Sequence, residues 1–170
     1  GKFGSECIVP SKLIEELGAL GVIEQSINLN KYQESQMLKK TDGCKKSTIR
    51  DIEKLEDAKY AGTKHSHKCT LILTEGDSAK AMAIAGLSVI ENGRDYYGVM
   101  PLSGKLLNCR GDNKEKQFYS SKVIINLKRI IGLQEKKVYN DISSLRYTKI
   151  LIMTDQDVDG SHIKGLLINF

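Results

Sequence analysis

Residues 155–160 read DQDVDG, three aspartates at alternate positions directly after the apolar run KILIMT (149–154). Carboxylates this close repel one another unless a cation sits among them. The stretch matches the first half of an EF-hand calcium loop, D-x-D-x-D-G. The twelfth loop position is then Leu166, where a bidentate Glu is required. Aspartyl-nucleophile phosphatases also place D-x-D after a strand, but the Thr or Val expected two residues beyond the second Asp is replaced by Asp159. An acidic loop capping the next helix needs a single Asp, which leaves two unexplained. Oxygen donors alone suit Mg²⁺, which takes one or two carboxylates and fills its shell with water or phosphate. One or two such ions can stabilise the attacking and leaving oxygens of a phosphodiester.

Something must bring further ligands to that loop. CTLILT (69–74) is a second short β-prone run, followed by EGDS (75–78) and a helix-like SAKAMAIAGLSVI (78–90). Small Ala83, Ala85 and Gly86 let that helix approach a sheet closely. YYGVM (96–100) predicts another strand with Pro101 at its end, and residues 121–131 place Val123, Ile124, Leu127, Ile130 and Ile131 on one helical face. KILIMT predicts a third strand and SHIKGLLINF (161–170) a helix. Strands alternating with helices imply an α/β domain with a largely parallel sheet. In such sheets the functional crevice lies outside the carboxyl ends of the strands. Glu75 and Asp155 each follow a strand, so neighbouring strands would bring them to one edge.

The rest of the chain predicts helix from Ser11 to about Leu38, interrupted near Gly18 and Gly21, then a polar, basic linker over 41–68. Hydrophobic residues are 40% of 170, enough for a core, and there are only two prolines. With 26 Lys+Arg against 21 Asp+Glu the net charge is +5, a modest lean toward polyanionic partners. Between Lys122 and Lys149 seven basic residues face only Glu135 and Asp141, which suggests a basic surface beside an acidic site. Cys7, Cys44, Cys69 and Cys109 form no CxxC pair. They read as thiols rather than as a zinc site or a disulfide framework. No apolar run approaches transmembrane length.

LTEGDSA (73–79), PLSGKLLNCR (101–110), KLEDA (54–58) and LRYTKILIMTDQDVDGSHIKGLLINF (145–170) together resemble the type IIA DNA topoisomerases, specifically their eukaryotic and large-DNA-virus branch. KFGSECIVPSKLIEELGALGVIEQ (2–25) resembles the end of that family's transducer. The resemblance implies a TOPRIM domain, Rossmann-like, over 69–170, preceded by a helical transducer tail over 1–40. It implies a Mg²⁺ site, in which Mn²⁺ or Ca²⁺ can substitute, held by Glu75, Asp155 and Asp157 with Asp159 in support. Glu75 would hold one ion with Asp155, and Asp155 with Asp157 a second. Glu75, Asp155 and Asp157 would be the catalytic residues, Glu75 also through acid–base steps. Lys105 and Asn108 match positions that contact DNA near the cleavage point.

The family resemblance further implies double-stranded DNA as partner, a homodimer in the whole enzyme, and a nuclear location or, for a viral relative, a cytoplasmic viral factory. It also implies ATP, bound by a region this chain does not match, and a nucleophilic tyrosine in another domain. The chain reads as a piece of a larger protein, inactive alone. Gly76 is expected to turn the backbone after the strand, with Asp77 and Ser78 capping the helix that follows; His162 reads either as a group that orients a phosphate or an aspartate or as a structural residue, and Lys164 either as a DNA contact or as a solvated lysine. Two departures stand out: Ser103 replaces the family's usual Arg, and Glu91 and Asn92 lengthen a turn. A primase- or nuclease-type TOPRIM protein would share the acidic residues but lack PLxGKxLNxR. A non-catalytic calcium-binding module is the remaining alternative.

Overall fold

The computed structural model describes residues 10–45, 48–108 and 121–170. Cys7, Cys109, Arg110 and residues 2–9 of the transducer-like segment lie outside them. The chain divides after Lys40 into two units. The first carries helices α1 (Ser11–Ala19) and α2 (Val22–Lys40). Gly21, at φ +69°, supplies the left-handed turn between them. No residue of α1 is buried within this unit.

Among its described residues the second unit, Thr41–Phe170, is built on a three-stranded parallel sheet. Strands β1 (Thr70–Glu75), β2 (Tyr97–Leu102) and β3 (Lys149–Met153) lie in the order β2-β1-β3. The register pairs Glu75 with Leu102 and Thr74 with Met153, so the carboxyl ends of all three strands meet at one edge. Pro101 falls within β2 rather than beyond it. An outer strand tolerates the missing N–H.

Side chains alternate across the sheet. Ile72 and Val99 pack with Ala83 and Leu87 of α3 (Gly76–Val89) on one face. Leu71, Leu73, Met100 and Leu102 pack on the other face with α5 (Lys122–Ile131) and α6 (Val158–Asn169). A short α4 (Gly93–Tyr96) leads into β2. On α5, Ile124, Leu127 and Ile130 are almost wholly buried, as the helical spacing predicted.

The segment 41–68 departs from the expected solvated linker. It packs into the second unit, with Ile52, Ala58, Ala61 and Ser66 buried. The Asp42 carboxylate accepts from Lys128 Nζ at 3.2 Å and from the Glu135 N–H at 2.8 Å, while Gly43 N–H donates to the Leu133 carbonyl at 2.7 Å. Glu56 bridges antiparallel to Val99 on the outer side of β2. Asp57 accepts from Arg146 and from the Tyr147 hydroxyl, each at 2.5 Å. That hydroxyl in turn accepts from the Ala58 N–H at 2.8 Å. The polar residues that suggested a linker are partners for buried cations.

The same pairs shrink the expected basic surface. Lys128 and Arg146 are 5% and 0% exposed, and Arg129 is paired with Asp51 at 2.5 Å. Cys44 and Cys69 are free thiols, Cys69 buried and its thiol pushed up mainly by that burial. Among the described residues no helix is long and apolar enough to cross a membrane.

Candidate metal and DNA site at the carboxyl edge of the sheet

Glu75 is the last residue of β1 and the N-cap of α3. Gly76 follows at φ +81°, a conformation that lets the chain turn from strand to helix without a loop. The Glu75 side chain makes no capping hydrogen bond to α3. Asp77, expected as a cap, pairs instead with Lys54 Nζ at 2.7 Å, and that contact holds the lysine above its usual value. Ser78 is exposed in the first turn.

The aspartate triplet does not share a face, because its backbone changes state at every step. Asp155 lies just past β3. Asp157 is extended (φ −129°, ψ −177°) and caps α6, its Oδ1 accepting from the Gly160 N–H at 2.6 Å. Asp159 sits in the first helical turn, and its Oδ1 accepts from Lys105 Nζ at 2.6 Å. This pairing, with smaller help from His162, holds the Asp159 carboxyl below the usual carboxylate range.

Glu75 and Asp155 meet directly. Glu75 Oε2 accepts from the Asp155 backbone N–H at 3.2 Å across 80 residues of sequence. Parallel pairing of β1 with β3 is what brings them together. Gly160 fixes the approach of α6 to this edge: a Cβ there would lie 2.2 Å from the Asp155 carbonyl oxygen. The glycine that mimicked a calcium loop is thus a packing requirement.

Lys105 and Asn108 follow β2, and the buried Leu106 between them anchors their loop. Asn108 Oδ1 accepts from the Asn169 side chain at 3.2 Å. Both asparagines line an open groove of about 590 Å³ with His162 and Ile168 of α6. Lys164 is half-buried and Ser103 exposed. Glu91 and Asn92 lie between α3 and α4, at the amino end of the strands and away from this edge.

Among the described residues no three carboxylates, imidazoles or thiols converge as a ready-made metal cage. Glu75 is half-buried and Asp155, Asp157 and Asp159 are exposed. An oxygen-only set in which the Glu75 carboxylate touches the backbone of Asp155 fits Mg²⁺, which keeps water or phosphate in the remainder of its shell. Lys54 is the residue that sequence reasoning left without a place at this edge. Its motif KLEDA was visible, but its left-handed backbone (φ 66°) and its pairing with Asp77 were not.

The Toprim domain family model matches residues 70–170, from β1 through the end of α6. The chain belongs to the Toprim family. This Toprim chain is 53% identical over 168 residues to DNA topoisomerase 2 of Pisum sativum and 55% over 171 residues to that of Drosophila melanogaster. Against DNA topoisomerase 2 of Saccharomyces cerevisiae it is 50% identical over 168 residues. Each match takes in 99% of the chain but only 11% or 12% of the relative, so the chain spans about a tenth of their length. Among solved structures it resembles the topoisomerase II DNA-binding, cleavage and re-ligation domain of Plasmodium falciparum. That likeness has a TM-score of 0.68 and 58% identity, and covers 73% of this chain and 17% of the other.

Proposed function

We propose that this Toprim chain supplies the acidic half of the DNA cleavage and religation site of an ATP-dependent type II DNA topoisomerase. The observation that carries the reading is the contact of Glu75 with Asp155 at the carboxyl edge of the parallel sheet. Identities of 50–58% to topoisomerase II proteins support it. Glu75, Asp155 and Asp157 would hold Mg²⁺, with Asp159 beside them. When bound, the metal supplies charge stabilisation for the oxygens of a phosphodiester in displacement. Asp155 is positioned by its backbone N–H on Glu75, and Asp157 by its cap on α6. Glu75 can carry a proton to or from a reacting oxygen during religation. Lys105 donates to backbone phosphate, and Asn108 offers an amide that can donate or accept. The nucleophilic tyrosine, the ATP site and the second subunit belong to regions of the whole protein beyond this chain, and the location that goes with this reading is the nucleus.

The test uses the whole enzyme. Glu75→Gln and Asp155→Asn should each lower Mg²⁺-dependent double-strand cleavage by at least about a hundredfold, the size seen when one preorganised charge partner is removed from an active site. Normal melting temperatures must accompany the loss. Near-normal cleavage by both variants contradicts the proposal. The 170-residue chain alone should bind Mg²⁺ and duplex DNA weakly and relax no supercoils. Reproducible relaxation by the purified chain would overturn that expectation.

A further inference from the structure

The three aspartates of DQDVDG are committed in three different ways. The backbone of Asp155 is on Glu75, the carboxylate of Asp157 caps α6, and the carboxylate of Asp159 is held by an ammonium. Lys105 reaches Asp159 across 54 residues of sequence, and the separation of 2.6 Å is that of a charge-assisted hydrogen bond. Both ends are anchored. Gly104, at φ +81°, turns the chain just after β2, and Leu106 is 5% exposed and fixes the residue after Lys105. Asp159 stands in the first turn of α6, seated against β3 through Gly160.

A divalent cation on the Asp159 carboxylate would face the Lys105 ammonium at close range, and like charges repel. At this third position the cation beside the carboxylate is the Lys105 ammonium. We propose that Asp159 is a positioning residue rather than a metal ligand: its carboxylate holds the Lys105 ammonium at the acidic edge, where it meets a DNA phosphate. This rests on the topoisomerase reading above and assigns the division of labour within that site.

A double-mutant cycle on this chain, read by the affinity for Mn²⁺ alone with electron paramagnetic resonance, separates the two roles. Asp155→Asn should weaken Mn²⁺ binding by more than about tenfold, the loss expected when a direct charged ligand goes. Asp159→Asn leaves Lys105 uncompensated, so it should weaken binding only through the altered field, by less than about fivefold. Adding Lys105→Met to Asp159→Asn restores neutrality, and the double variant should return to within about twofold of the parent. A double variant as weak as Asp159→Asn alone identifies a lost ligand and overturns the proposal.

A second readout does not depend on metal affinity. The side-chain ammonium resonance of Lys105 in isotope-labelled chain should shift on Asp159→Asn and stay in place when Mg²⁺ is added to the parent. Movement under Mg²⁺ to the Asp159→Asn position shows displacement of the lysine by metal, and that also overturns the proposal. Unchanged Mn²⁺ affinity in Asp155→Asn would instead remove the topoisomerase metal reading, while the resonance still decides the role of Asp159.

Discussion

At the scale of single residues, Gly160 and Gly165 make a matched pair on one helix. A Cβ at Gly160 meets the Asp155 carbonyl at 2.2 Å and Thr154 at 3.1 Å, whereas one at Gly165 meets nothing within 4 Å. Gly160→Ala must push α6 away from the strand end, an overpacking cost of about 1–3 kcal/mol. Gly165→Ala should be neutral or stabilise by about 0.5–1 kcal/mol, since it removes a helix glycine. Urea unfolding of both variants measures the difference. Equal effects would show that the close approach is not a constraint. Asp155, Glu75 and their adjacency were legible in the sequence, because two strand-like runs each ended in an acid. The separate fates of Asp157 and Asp159 were not. Alternation suggests a shared face only while the backbone stays extended, and here it bends into a helix between them.

At the scale of elements, strand and helix placement followed from apolar runs and helical spacing. The misread element was 41–68. Its polarity looked like solvation, yet Asp42 and Asp57 are the counter-charges of the buried Lys128 and Arg146. Composition cannot reveal this, because the partners lie more than eighty residues away. Asp57→Ala would leave Arg146 buried without this counter-charge, at a cost of about 3–5 kcal/mol. A fall below 1 kcal/mol on the order of a surface pair would show that the network is ornamental to stability.

Tyr147 belongs to the same network and fixes a backbone contact as well. A Cβ at Gly98 of β2 would stand 2.2 Å from its hydroxyl, so only glycine fits beneath the ring. Burial, with the Asp57 carboxylate, raises the Tyr147 hydroxyl above its ordinary value of 10.0. The folded state thus favours the protonated phenol. Its contribution is complete below pH 10.0 and is lost progressively as pH rises beyond it. Circular dichroism through alkaline titration should show unfolding that Tyr147→Phe makes less steep. An identical alkaline profile in the two proteins contradicts this assignment.

At the scale of the whole molecule, the excess of +5 is not consumed by the buried and edge ion pairs, because each of those cations is matched by at least one carboxylate. Lys128 and Arg146 are interior, and Lys54 and Lys105 are paired with Asp77 and Asp159 at the acidic edge. Lys105 thereby stands at the carboxyl edge of the sheet beside Asp159, and Lys54 stands beside Asp77 in the first turn of α3. The two units after and before Lys40 carry this edge only in the second.

The central claim is that Glu75 and Asp155 form a divalent-metal site at the carboxyl ends of β1 and β3. Paramagnetic broadening of backbone amide signals by substoichiometric Mn²⁺ tests it most directly, since Mn²⁺ erases signals only near where it binds. Loss is expected to centre on residues 75–76 and 154–157 and to be abolished in Glu75→Gln/Asp155→Asn. Broadening centred elsewhere, or unchanged in that double variant, would contradict it.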